Sequence, residues 1–149
     1  MTNNLPPRVV RHRGLTLLEL TVVVSTLLAL TAILFIGSRA WKRGSDRTVC
    51  ILAMRSMQVA TRSYQNLYGY SFGGHPYAEN GTQDIAEHLL SKGYIEQRTY
   101  LLTRGANKCP SGGTYICPIP DVFPEEGVLY MTCSLSNSES HVPASHSSW

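Results

Sequence analysis

Between Pro7 and Pro76 the chain has no proline, and between Glu19 and Arg39 it has no charged side chain. The first absence removes the residue that most readily stops a helix, so a single helix can continue far past the apolar stretch. The second leaves Leu20 to Gly37 as an uncharged run of mostly Leu, Val, Ile, Ala and Phe, long enough for a bilayer core about 30 Å thick. There is no glycine-rich phosphate loop followed by Lys, no internal repeat, and no nucleophile pattern near His75 or His88, so the chain reads as a non-enzyme without a cofactor. No two cysteines stand at the short spacing of a zinc knuckle. His141 and His146 fall in a serine-rich terminal stretch expected to stay unfolded, which points away from zinc.

What remains is a short chain of 149 residues with a formal charge of +3. After leader, span and stem, fewer than a hundred residues are left, enough for one small head domain. The positive charge flanks the span on both sides, with Arg8, Arg11 and Arg13 before it and Arg39, Lys42, Arg43 and Arg47 after it. Orientation cannot be read from that balance. The second group stands where lipid headgroups are nearer than nucleic acid, so membrane is the expected partner. A secretory signal peptide has a shorter apolar core, usually about 7 to 15 residues, followed by a small-residue cleavage site. Gly37-Ser38-Arg39-Ala40 is a poor one.

In order, residues 1–14 read as a leader, 15–38 as a transmembrane helix, 39–69 as an amphipathic stem helix, 70–133 as a small head and 134–149 as a flexible tail. The stem carries Val49, Leu52, Ala53, Met57, Ala60, Tyr64, Leu67 and Tyr68 at three- and four-residue spacing, with Arg47, Arg55, Arg62 and Gln65 elsewhere on the wheel. Gly69 ends it. Ser71 to Gly81 is a loop, and a short helix follows, capped by Thr82 or Asp84 and stopped by Gly93. Tyr100-Leu101-Leu102 is a candidate short strand. Thr114-Tyr115-Ile116-Cys117 and Val128 to Cys133 are rich in β-formers and predict an antiparallel pair. The expected fold class is therefore α+β, a long helix packed on a small head.

Glu19 stands at the entrance to the span with apolar residues on both sides. A charge at the bilayer centre costs roughly 2.5–3.5 kcal/mol on insertion scales and ordinarily has a partner. The span offers none. The best candidate is an α-amino group made by cutting the chain just before the helix.

The order of basic leader, Gly14, Leu15-Thr16-Leu17-Leu18-Glu19-Leu20 and a long uncharged helix resembles the N-terminus of type IV pilins and type II secretion pseudopilins, with Leu15 where Phe is usual. The resemblance implies cleavage between Gly14 and Leu15 by a prepilin peptidase and N-methylation of Leu15. It also implies pairing of Glu19 with the amine of a neighbouring subunit. Cys109-Pro110-Ser111-Gly112-Gly113-Thr114-Tyr115, the later Cys133-Ser134 and Cys50 in the stem are similar to short planctomycete and verrucomicrobial pseudopilin-like proteins. Implied partners are further copies of the chain in a filament, the peptidase, an inner-membrane platform protein and its ATPase. The implied location is the inner membrane with the head in the periplasm.

Four cysteines in a small head fit an oxidising compartment and allow three complete pairings. Cys109 with Cys133 would tie the terminal hairpin to its last strand and contribute about 3 kcal/mol on the chain-entropy model. Cys50 with Cys117 completes the set, or both remain free thiols. Major pseudopilins often hold calcium in a C-terminal loop, for which Asp121, Glu125 and Glu126 are the candidates; three acids in a proline-rich loop are otherwise a solvated surface. The implied function is a structural subunit of a type II secretion pseudopilus. A type IV pilus subunit, and a single-pass anchored binding module that never polymerises, are the alternatives.

Overall fold

The computed structural model describes residues 16–149. The leader, and with it Gly14 and Leu15, lies outside the described residues. In chain order the elements are α1 (Leu17–Tyr68), α2 (Ile85–Ser91), α3 (Gln97–Thr103), β1 (Tyr115–Ile116), β2 (Thr132–Cys133) and a 3-10 turn over His146–Ser148. This is an α+β chain, and it divides into two compact units, Met1–Ala40 and Trp41–Trp149.

In the first unit α1 begins with a reciprocal cap. The Thr16 N–H and hydroxyl donate to Glu19 Oε2 at 2.8 and 3.0 Å, and the Glu19 N–H donates to Thr16 Oγ1 at 3.3 Å. Thr-x-x-Glu is the sequence form of such a box. Beyond it, the large apolar side chains through Ile36 are exposed, by 47% at Val24 up to 81% at Leu17. Thr21, Thr26 and Thr31 return their hydroxyls to the carbonyls of Leu18, Val23 and Leu28 at 2.9 Å, leaving few polar groups in need of water. The helix is long and apolar enough to cross a membrane.

In the second unit the remainder of α1 buries Cys50, Met54, Met57, Gln58, Ala60, Thr61, Tyr64 and Gln65. Of the apolar stripe expected from periodicity, Met57, Ala60 and Tyr64 are buried, whereas Val49, Leu52, Leu67 and Tyr68 are exposed. The face rotates because polar side chains with specific partners share it. Gln58 Nε2 donates to Val128 O at 3.1 Å, and its Oε1 accepts from the Tyr130 N–H at 2.8 Å. The side-chain amide thus does for residues 128–130 what a neighbouring strand would do. Tyr64 sits at the centre of an aromatic cluster with Tyr70, Tyr94, Phe123 and His88, ring centroids 5.6 to 6.1 Å away.

Gly69, at φ 70°, ends α1 as expected. Asn80 and Gly81, at φ 54° and 80°, turn the chain tightly so that Glu79 and Thr82 exchange two 3.1 Å backbone bonds. Asp84 caps α2 by accepting from the Ala86 and Glu87 N–H groups. At the other end Gly93 N–H reaches Leu90 O and Tyr94 N–H reaches Leu89 O, the paired bonds of a Schellman stop.

Two expectations change. Tyr100-Leu101-Leu102 is part of α3, not a strand; Tyr100 N–H bonds back to Glu96 O and Thr103 Oγ1 to Tyr100 O, so the turn satisfies itself locally. The hairpin shrinks to two residues per strand, with Tyr115 opposite Cys133 and Ile116 opposite Thr132; Gln58 takes the backbone groups of Val128 and Tyr130, and Pro118 has no N–H to extend the ladder past Cys117.

Candidate functional site

Two places carry chemistry, one in each unit. At the start of α1, Glu19 is exposed and its carboxylate is held by Thr16. Among the described residues no ion pair includes it. Thr16 is thus a hydrogen-bonding partner within the chain, where the sequence reading looked for one only on a neighbouring subunit. It supplies hydrogen-bond donors but no positive charge.

In the second unit three cysteines and a histidine converge. One ligand atom each from Cys50, Cys109, Cys133 and His141 lies within 4.8 Å of the others, and all four residues are buried. Four separate segments bring them together. Cys50 comes from α1, two turns before Met57 on the same buried face. Cys109 opens a tight turn closed by Gly112 N–H on Cys109 O at 2.7 Å and Cys109 N–H on Gly113 O at 2.8 Å, with Gly112 at φ 90°. Cys133 ends β2 opposite Tyr115. His141 arrives from the C-terminal segment, its N–H bonded to Leu135 O at 3.3 Å.

Around these four, the geometry is specific. Cys109 Sγ and His141 Nδ1 are 3.4 Å apart. The other ring nitrogen, Nε2, faces Glu139 Oε2 at 3.5 Å. Burial pushes the Cys50 and Cys133 thiols up from their ordinary range, while the Tyr115 hydroxyl near Cys50 and the Leu135 N–H near Cys133 pull the other way. At Gly113 an added Cβ would lie 2.8 Å from Leu135 Cγ and 3.1 Å from Cys133 Sγ, so only glycine lets the Cys109 turn come this close.

The cysteines expected to pair carry no bond in this structure. All four cysteines are free. Cys50 groups with Cys109 and Cys133, while Cys117 lies apart, near Asp84 and Arg104, its thiol pushed up to about 12 chiefly by burial. Segment 134–149, expected to be flexible, is held to the head. His141 is 1% exposed, and Arg62 donates to the carbonyls of Pro124, Glu125 and Trp149. Composition concealed this because the anchors are one imidazole and a set of backbone carbonyls.

The remaining candidates do not converge. Among the described residues the Cys50 cluster is the one group of three or more potential ligands that gathers, and Asp121, Glu125 and Glu126 are not part of it. Asp121 instead faces His75 at 3.5 Å, and Glu125 and Glu126 are exposed. His88 places Nδ1 3.2 Å from Glu79 Oε2 and Nε2 3.1 Å from Thr82 O, a structural use of both nitrogens. Sequence reasoning set His141 aside as part of an unfolded tail and did not single out Glu139 or Tyr115 as its neighbours. The one available signal was Cys109-Pro110-Ser111-Gly112-Gly113, a turn with the glycines a metal knuckle needs. Comparison with known protein families, characterised proteins and solved structures finds no match.

Proposed function

We propose that the chain is a pilin-like structural subunit, cut between Gly14 and Leu15 and assembled through its N-terminal helix into a type II secretion pseudopilus. The observation that carries this reading is Glu19, a lone acid in the first turn of an uncharged span whose large apolar side chains are exposed. A lipid phase would cover those side chains, and so would the same helix from other copies. Only the second also offers a charge for the acid, since cleavage leaves a free amine on Leu15, next to Thr16 and within the reach of a neighbour's Glu19. The amphipathic continuation of α1, with its head docked on one face, supports the reading because such a subunit must display folded protein outside the helical core. In this scheme the head is periplasmic.

Mass spectrometry of the mature N-terminus in cells with an active prepilin peptidase is the test. N-methylated Leu15 is the expected result, and a chain retaining Met1 to Gly14 defeats the proposal in favour of a plain membrane anchor. Loss of secretion without loss of surface fibres on deletion distinguishes a pseudopilus from a pilus.

A further inference from the structure

We propose that Cys50, Cys109, Cys133 and His141 form a closed structural zinc site that fastens the head to the stem helix. The donor set is three sulfurs and one imidazole, all buried, gathered from positions 50, 109, 133 and 141 within 4.8 Å. Ligand atoms about 2.0–2.3 Å from a tetrahedral zinc stand roughly 3.4–3.8 Å from one another. Cys109 Sγ and His141 Nδ1 are already at that separation, 3.4 Å. The widest pairs have only about 1 Å to close, a movement side-chain torsions supply.

Three features favour a metal over the alternatives. First, three thiols in one cluster cannot all be satisfied by disulfides among themselves, and the fourth cysteine, Cys117, lies elsewhere. Second, the outer contacts suit a bound cation. Nδ1 of His141 faces the sulfurs while Nε2 faces the Glu139 carboxylate, the carboxylate–histidine–metal order that fixes the ring's orientation and raises its basicity. Third, on ligation three thiol protons leave, and one Zn²⁺ with three thiolates and a neutral imidazole carries a net charge of −1. The Tyr115 hydroxyl near Cys50 and the Leu135 N–H near Cys133 are donors placed to offset it. Thiolate-rich tetrahedral sets select zinc, and four protein ligands leave no open position for a substrate, so the role is structural.

The full chain, purified in detergent without an affinity tag or chelator, tests this by elemental analysis and by cobalt titration. Expected are about one zinc per chain and, with Co²⁺, thiolate charge-transfer bands together with the intense ligand-field bands of a tetrahedral site. Cys109→Ser and His141→Ala should lose the metal, while Cys117→Ser keeps it in full. Glu139→Gln should weaken affinity roughly 10- to 100-fold. A strong chelator should lower the melting temperature of the head by roughly 10 °C or more. A wild-type chain that takes up neither zinc nor cobalt with its thiols reduced, or a Cys109–Cys133 disulfide in the protein isolated from cells, overturns the proposal. So does metal uptake that Cys109→Ser leaves unchanged. The cobalt spectrum of the wild type decides the matter even if a ligand variant fails to fold.

Discussion

Cys109 Sγ lies 3.4 Å from His141 Nδ1, two residues 32 positions apart whose meeting closes the C-terminal segment over the turn before β1. Beside this pair stands Gly113, where a methyl group would press on Leu135 Cγ at 2.8 Å and on Cys133 Sγ at 3.1 Å. Gly113→Ala is therefore expected to destabilise the head by about 1–3 kcal/mol, the usual cost of overpacking a filled site. It should also weaken metal uptake, because the carbon intrudes on a ligand sulfur. Urea midpoints of the two full-length chains, with and without added zinc, check both effects. A variant as stable as wild type would show that Leu135 has room to withdraw.

Much of this architecture was legible from residue order. The long helix followed from the missing prolines and the uncharged run, its end from Gly69, and α2 from Asp84 and Gly93, because each is a local signal acting within one turn. What was not legible depends on segments distant in sequence. Gln58 and Gln65 look like solvent residues until the groups they meet are known, and Gln58 finds residues 128 and 130 only in the folded chain. The metal cluster was hidden for the same reason: its ligands lie 59, 24 and 8 positions apart, with none of the short spacing that marks a zinc motif in a sequence. α3 was misjudged because Tyr100-Leu101-Leu102 has β-forming character, whereas its backbone groups find their partners within one helical turn.

Gln58 gives a second prediction. Gln58→Met keeps the length of the side chain and removes its hydrogen bonds, leaving the Tyr130 N–H and Val128 carbonyl without that partner. An unsatisfied buried polar group costs about 1–3 kcal/mol, so a loss of roughly 2–4 kcal/mol is expected. Hydrogen exchange at the Tyr130 amide should accelerate accordingly. If that amide remains as protected as in wild type, the side-chain amide is not what holds this segment.

The Glu79–Lys92 pair, 2.8 Å apart, sets a third. The Lys92 ammonium, then the His88 ring, hold the Glu79 carboxyl below its ordinary 4.5, and Glu79 raises the Lys92 ammonium above its ordinary 10.5. A carboxyl lowered on folding adds stability above pH 4.5 that is lost as pH falls through its folded value. A raised ammonium adds stability below pH 10.5 that is lost as pH climbs through its folded value. Stability curves of wild type and Lys92→Met should thus differ most between these limits and converge outside them. Both groups reach solvent, so the difference should shrink in high salt. A gap that is independent of pH would mean that Lys92 contributes through the packing of its apolar stem, not through charge.

Glu19 presents two roles that one substitution separates. As a helix cap it needs only an acceptor for the Thr16 N–H and hydroxyl, which a Gln amide oxygen also supplies. As the counter-charge to a neighbour's amine it must be ionised. Glu19→Ala removes both functions and costs the helix start about 0.5–2 kcal/mol. Glu19→Gln keeps the first and removes the second. Both variants should insert into membranes as wild type does, since neither adds charge to the span. If the counter-charge matters, Glu19→Gln should be excluded from filaments nearly as fully as Glu19→Ala. Depriving a buried amine of its partner costs about 3–5 kcal/mol, a drop in incorporation of roughly 100-fold or more. Immunoblots of sheared filament and membrane fractions from cells co-expressing tagged wild type and variant measure this directly. Equal incorporation of Glu19→Gln and wild type would leave Glu19 as a cap alone, and assembly through this carboxylate would have to be given up.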